Sequence, residues 1–523
     1  MLRWESNDEL SIEPTSLKVS GKKKIHSFPL NKNLSDLPFT GMEGNRSFDL
    51  EDFINGQFKL DDLNLIFASP RALSDFRTSS LENGIIAKGE IPELGVLRIG
   101  ITDYAKAWRY LKEISEDEVS LSLNHGVRLP KLPKPTRITG DIGFGDSAFE
   151  YLGVPAERRQ CGRGIKVAII DSGVDPTHPD LTGISLKSIR LGSKEGGEGS
   201  FMGHGTAIAS IIGSQKADRL GLAPSAEILS VEVLDEYGEG NAFDVAEGIV
   251  RAVDEQARVI NLSLGGDYGS PVLANAIAYA QSQGAVVVAA VGNEGLGQVA
   301  FPARYDGVIG VSTIDAMGRI SSFSNYGEGV DIAAPGVFVD AAWEEGDYVS
   351  FSGTSASAAF VSGAIAAEWS VNPNMSDKDM INIIYDYANE AEKPGTDEFT
   401  GNGILNVGRI SRRMDSQFSD VSVVGYYFEP DDLKGGGTTP FLVTIQNQGN
   451  SWLREMELTV SYEGLTRKYP VSSLNPGETR SERFFLNRST SKKPLLIESK
   501  VILKNDEDDL PENNFRRSEI TLP

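Results

Sequence analysis

Between residues 136 and 414 the chain alternates runs of Val, Ile, Leu and Ala with helical stretches, and that rhythm admits few folds. The runs 165–170, 227–233, 259–264, 285–291 and 308–313 read as strands, and 204–212, 242–255, 271–282 and 354–369 as helices. A strand that is apolar at successive positions must be covered on both faces. Such strands separated by helices specify an α/β domain with a parallel sheet between two helix layers. In these sheets ligands bind outside the carboxyl ends of the strands.

The flanking segments have a different texture. Residues 1–60 are a polar, irregular lead-in containing Gly21-Lys-Lys-Lys24. In 61–130 a strand at 63–67, a helix at 71–81, a strand pair at 85–88 and 95–101, an amphipathic helix at 104–114 and a strand at 118–123 follow one another. This βαββαβ order predicts a small α+β ferredoxin-like unit. Pro130-Lys-Leu-Pro-Lys-Pro135 then reads as a stiff linker. Over 419–523 the segments 421–428, 440–446, 455–462, 480–486, 495–503 and 515–522 alternate like strands. Gly435-Gly-Gly437, Asn475-Pro-Gly477 and Asp506-Glu-Asp-Asp-Leu-Pro511 separate them. About seven short strands in such a length predict an all-β, immunoglobulin-like sandwich.

A chain of 523 residues exceeds one hydrophobic core. Its net charge of −24 argues against nucleic acid and anionic membrane as partners. No apolar run reaches the roughly 18 residues of a membrane span. Residues 1–30 carry no stretch resembling a secretion signal. A single cysteine, Cys161, excludes intrachain disulfides and cysteine-built zinc sites.

Chemistry-bearing residues fall where the predicted strands end. Val167-Ala-Ile-Ile-Asp171 puts a carboxylate at a strand tip, with Asp175 and Asp180 as nearby competitors. Of the four histidines, His26, His125, His178 and His204, only His204 opens a predicted helix behind a small residue, in Gly203-His-Gly-Thr206. Phe351-Ser-Gly-Thr-Ser355-Ala-Ser begins a small-residue helix whose N-terminal dipole favours developing negative charge, with serines at 350, 352, 355 and 357 all available. Gly292-Asn293-Glu-Gly295 follows the strand at 285–291. The Gly162-Arg-Gly164 segment lacks the strand-then-glycine order of a nucleotide site.

These segments, in the chain order Asp, His, Ser, resemble the subtilisin-like serine proteases (subtilases, peptidase S8). The resemblance implies a serine endopeptidase acting through an acyl-enzyme, with Asp171, His204 and Ser355 catalytic and Asn293 an oxyanion donor. It implies Ser263, Leu264 and Gly265 as one substrate edge and Tyr237-Gly-Glu-Gly240-Asn as the other. Ala242 borders a distal pocket, and Val291, Gly292, Glu294 and Ala300 surround the primary one. It implies that 61–130 is a propeptide, an intramolecular inhibitor removed by cleavage within 125–135. No cofactor is required; a weak calcium site is expected from Ala303, Tyr305, Val308 and Asp331. Two departures stand out: Ala356-Ser-Ala-Ala-Phe360 replaces Met-Ala-Ala-Pro-His, and Ala207 replaces a histidine after His204-Gly-Thr, where the segment to Ala223-Pro224 is short; the calcium loop of that segment is expected to be missing, leaving Asp180 an unsupported ligand candidate. Phe441-Leu-Val-Thr-Ile-Gln-Asn-Gln-Gly449 with Pro511-Glu-Asn-Asn514 resembles the CARDB-type sandwich of bacterial surface and secreted proteins. The expected partners are a protein or peptide substrate and the chain's own propeptide, on a monomer. Export is expected from the family and a cytoplasmic location from the visible N-terminus. The rival function is a silent binding or adhesion protein using the C-terminal sandwich.

Overall fold

A computed structural model describes residues 62–114, 118–131, 141–155, 157–191, 203–391, 393, 395–415, 417–428, 438–487 and 495–520. All of them belong to one compact unit, Phe39–Pro523. The predicted lead-in and most of the Pro-rich linker lie outside the described residues.

Strands β1 (Leu63–Phe67), β2 (Ile85–Ile91), β3 (Val96–Ile101) and β4 (Val119–Leu123) form an antiparallel sheet in the order β2-β3-β1-β4. Helix α1 (Pro70–Ser80) starts because Ser69 accepts the Ala72 N–H and Pro70 presets the first turn; Asp103 caps α2 (Tyr104–Glu113) in the same way. Leu63, Leu65 and Phe67 alternate into a core with Phe76, Ile99 and Leu121. The opposite face of β1 carries buried Asn64, which meets Asn124. The small α+β unit therefore has two buried faces.

The central sheet has seven parallel strands. In chain order they are β6 (Lys166–Asp171), β7 (Ser185–Arg190), β8 (Glu227–Glu232), β10 (Val259–Leu262), β11 (Val286–Ala290), β12 (Val308–Ile314) and β13 (Ile332–Pro335), and they lie in the order β13-β12-β11-β10-β6-β8-β7. The period of two divides the side chains between the helix layers. Val167 and Ile169 join the core of α3 (Gly203–Gly213) and α6 (Thr354–Val371). Ala168 and Ile170 join that of α4 (Ala242–Asp254) and α5 (Pro271–Ser282). Apart from Glu368, which pairs with Arg413 at 2.6 Å, helix α6 is apolar or small on all sides and buried along nearly its whole length, as such a helix must be. Two short pairs flank the sheet: β5 (Gly126–Arg128) with β9 (Glu239–Asn241), and β14 (Val339–Ala342) with β15 (Tyr348–Phe351).

The C-terminal strands β16 (Val421–Phe428), β17 (Thr438–Asn447), β18 (Leu453–Tyr462), β19 (Leu465–Leu474), β20 (Thr479–Asn487), β21 (Leu495–Leu503) and β22 (Phe515–Ile520) make two antiparallel sheets, β16-β17-β20 and β19-β18-β21-β22. Phe441, Leu458 and Phe484 fill the space between them. The sandwich is packed onto the parallel-sheet layer: Val424, Tyr427 and Leu442 join that domain's core, and Arg516 pairs with Asp146 and Ser147.

Candidate active site

Asp171 is the last residue of β6, so its carboxylate emerges at the carboxyl edge of the sheet. The backbone N–H and hydroxyl of Ser172 donate to its Oδ1 at 2.7 and 3.0 Å. His204, second residue of α3, brings Nδ1 to 2.9 and 3.0 Å from the two Asp171 oxygens. The flanking glycines explain how the ring gets there. A Cβ at Gly203 would collide with the Trp343 indole and one at Gly205 with the Gly173 carbonyl. The helix start can lie against the strand end only without side chains at those two positions. Phe351 packs edge-on against the imidazole at 5.3 Å between centroids. Asp171 and His204 are both buried. The carboxylate thus fixes the tautomer with Nδ1 protonated, leaving Nε2 as the basic nitrogen.

Ser355 is the second residue of α6, and its hydroxyl donates to the Ser263 carbonyl at 3.4 Å. Thr354 precedes it and orients the neighbouring amide. The Thr354 N–H and hydroxyl donate to Asn293 Oδ1 at 2.9 and 3.0 Å, and the Gly292 N–H donates to Thr354 Oγ1 at 3.2 Å. With its oxygen held this way, Asn293 turns Nδ2 outward, where it donates to the Lys131 carbonyl at 3.2 Å. Sequence reasoning missed Thr354 as an orienting group, although its place between the glycine and the serine carries the signal.

Lys131 belongs to a segment that lies along the site. Antiparallel pairing of β5 with β9 sets Val127 opposite Gly240, and Arg128 exchanges both backbone bonds with Gly265 at 2.9 and 2.8 Å. The Leu129 N–H donates to the Gly238 carbonyl at 2.9 Å. Residues 126–129 thereby run as a strand between the two predicted edges, the geometry of peptide binding by strand addition. Val127 is buried beside Leu234, Leu264 and Phe243. Arg128 faces Asp267 at 3.6 Å.

Further contacts tie the small α+β unit to the same surface. Arg98 bridges Asp62 at 2.6 Å and Asp244 at 3.1 Å. Asn124 accepts the Phe243 N–H at 3.0 Å and donates to Asn241 at 3.1 Å, at the start of α4. His125, between β4 and β5, accepts the Ala242 N–H on its carbonyl at 2.8 Å and stacks on Tyr268. Burial pushes its imidazole down to about 4.

The remaining predicted residues separate by role. Ser263 meets the Ser355 hydroxyl through its carbonyl. Leu264 and Ala242 are buried, and Ala242 acts through its N–H toward His125. Val127 and Leu264 belong to one buried apolar cluster. Gly292 has φ 108°, and the Ala300 N–H donates to the Val291 carbonyl. Glu294 Oε2 accepts the Asn293 N–H and the Asn325 amide, both at 3.0 Å. His178 is structural: Nδ1 accepts the Asp180 N–H, and Nε2 lies 3.0 Å from the Asp347 carbonyl.

The expected calcium ligands Ala303, Tyr305, Val308 and Asp331 supply by themselves fewer than the six to eight oxygens that a calcium ion takes. The Tyr305 carbonyl already accepts the Val308 N–H, and Asp331 Oδ2 accepts the Gly310 N–H at 2.8 Å. Burial pushes Asp331 up to about 6. Among the described residues, no group of three or more His, Cys, Asp or Glu converges. Asp180 takes the Tyr348 hydroxyl at 2.7 Å, with the Lys216 ammonium 3.7 Å away.

The chain is similar in sequence and in fold to known proteins. The family model described as the subtilase family matches residues 162–403. The chain is 41% identical over 206 residues to the thermophilic serine proteinase of Bacillus sp. (strain AK1), covering 39% of this chain and 51% of the relative, about half its length. It is 38% identical over 253 residues to Subtilisin Savinase of Lederbergia lenta, covering 48% of this chain and 92% of the relative. It is 42% identical over 205 residues to thermitase of Thermoactinomyces vulgaris, covering 39% and 74%. The crystal structure of fervidolysin from Fervidobacterium pennivorans, a keratinolytic enzyme related to subtilisin, superposes with a TM-score of 0.59 at 20% identity. It covers 94% of this chain and 95% of that one, a likeness of fold. With most of a subtilisin matched by sequence and a seven-stranded parallel sheet carrying the site at its carboxyl edge, the chain belongs to the subtilase family of serine endopeptidases.

Proposed function

We propose that the chain hydrolyses internal peptide bonds through an acyl-enzyme, and that residues 62–131 occupy its cleft as an inhibitor until the Lys131–Leu132 bond is cut. Ser355 Oγ attacks the carbonyl carbon while His204 Nε2 takes its proton. Asp171 orients the imidazole and stabilises the imidazolium. The oxyanion forms against Asn293 Nδ2 and the Ser355 N–H. Collapse of the intermediate expels the amine, which takes the proton from His204, and leaves an acyl-Ser355 ester. Water then attacks this ester by the same route in reverse. The observation carrying the proposal is the Lys131 carbonyl at 3.2 Å from Asn293 Nδ2, three residues beyond a strand paired to both cleft edges. No metal or cofactor enters any step. The C-terminal sandwich is proposed as an accessory module, and export is proposed from the family.

Incubation of the purified chain followed by N-terminal sequencing tests this. Wild type is expected to give a new terminus at Leu132 and to take a fluorophosphonate label; Ser355→Ala is expected to do neither. A wild type that remains intact and unlabelled would instead favour a silent binding protein.

The buried His125 adds a pH dependence to the docked state. Its folded pKa lies below the ordinary value of about 6.5, so its contribution is complete above that pH and is lost as pH falls through about 4. The melting temperature of the uncut Ser355→Ala chain is expected to fall more steeply between pH 6.5 and 4 than that of the same chain carrying His125→Phe. Phe keeps a ring against Tyr268 but cannot charge. Parallel curves would refute the assignment.

A further inference from the structure

The loop that carries the oxyanion amide, Val291-Gly-Asn-Glu-Gly-Leu296, is held by a second distant side chain besides Thr354. Asn325 is buried, 3% exposed, and directs its amide group into this loop. Its Nδ2 donates to the Val291 carbonyl at 3.1 Å and to Glu294 Oε2 at 3.0 Å. Its Oδ1 accepts the N–H groups of Glu294 at 3.1 Å and Leu296 at 2.9 Å. Its own N–H donates to the Gly292 carbonyl at 3.0 Å. An asparagine amide has two donor hydrogens and two acceptor lone pairs, and each finds a partner on this one loop. Gly292 leaves the room for it, since a Cβ there would collide with Asn325 Nδ2. The link to the oxyanion donor runs through Glu294, whose Oε2 also accepts the Asn293 N–H at 3.0 Å.

We propose that Asn325 is a positioning residue for the reaction: by holding the loop at both ends and the Glu294 carboxylate against the Asn293 backbone, it sets where Asn293 Nδ2 points. The inference rests on the serine-endopeptidase reading and adds a residue that touches neither substrate nor the attacking serine. Its effect belongs to kcat, because oxyanion donors act on charge that develops only in the transition state. A misplacement of about 1 Å costs on the order of 10²-fold.

The test uses the full chain after incubation, with a chromogenic peptide. Asn325→Asp keeps the size and both acceptor contacts but places a second carboxylate against Glu294. It is expected to lower kcat at pH 8 by about 30- to 100-fold, with KM within about threefold of wild type. Two carboxylates in contact share a proton as pH falls. The ratio of variant to wild-type kcat is therefore expected to rise at least about fivefold between pH 8 and 5.5. Adding Glu294→Gln supplies an amide donor to the new carboxylate and is expected to restore kcat at pH 8 and flatten that ratio. Asn325→Ala, which introduces no charge, covers the case in which Asn325→Asp does not fold: it is expected to show the same kcat loss without the recovery at low pH. For either variant, a kcat within threefold of wild type or a loss carried by KM would overturn the proposal; for Asn325→Asp, so would a loss that neither pH nor Glu294→Gln alters. If wild type itself neither cleaves peptide nor takes the fluorophosphonate label, the endopeptidase reading fails and this inference fails with it.

Discussion

Ser355→Ala and His204→Ala are each expected to lower kcat by about 10⁶-fold, and the double variant is expected to lose no more than either alone; Asp171→Asn alone is expected to cost about 10⁴-fold, magnitudes taken from serine proteases including a subtilisin. In the proposed mechanism the three side chains work as one device. Without the imidazole, the serine hydroxyl has no group to take its proton; without the hydroxyl, the imidazole has nothing to activate. The carboxylate differs because it moves no proton. It holds Nδ1–H at 2.9 Å and favours the imidazolium, so its amide analogue leaves both partners present in the wrong tautomer. The measurement is single-turnover hydrolysis of a chromogenic peptide. The N-terminal segment is first removed by an unrelated protease at an inserted site, so that failed self-processing does not enter the rates. Losses below tenfold for either single variant would overturn the assignment, as would losses that multiply in the double.

Much of the architecture could be read from local patterns, because continuous Val and Ile runs announce buried parallel strands wherever they occur. β6, β8, β10, β11 and β12 each carry such a run. The strands without a clear signal are those that lack one physically. β7 is an edge strand, Ser185-Leu-Lys-Ser-Ile-Arg190, half polar and largely solvent-facing. β13 is four residues long and ends in a proline. β19 is mostly exposed, so its sequence shows little burial pattern. The same division holds at the site. Asp171, His204, Asn293 and Ser355 each sit at the end or start of a recognisable element, and local sequence marks them. The need for a small residue at 205, the hold of Asn325 on the oxyanion loop and the approach of Lys131 to Asn293 are contacts between segments far apart in the chain. No local pattern encodes them, because the partner of each is chosen by the fold.

Asn293→Ala is expected to lower kcat by about 10²–10³-fold, or about 2.7–4 kcal/mol of transition-state stabilisation, with KM little changed; the magnitude comes from the corresponding loss in a subtilisin. Alanine alone does not separate loss of the donor from loss of loop order, because Asn293 Oδ1 also accepts two bonds from Thr354. Asn293→Asp makes that separation. Its carboxylate can accept both Thr354 bonds, so the loop keeps its anchor, while the outward group becomes an acceptor facing a developing negative charge. If Nδ2 is the oxyanion donor, the aspartate variant must lose at least as much kcat as alanine despite being the better structural substitute. If the residue only braces Thr354 at the start of α6, aspartate should retain most activity and alanine should not. Ordering the three rates under one set of conditions therefore decides what this side chain does: wild type far above alanine, and alanine at or above aspartate, assigns it to the transition state. Wild type close to aspartate, and both above alanine, assigns it to the scaffold.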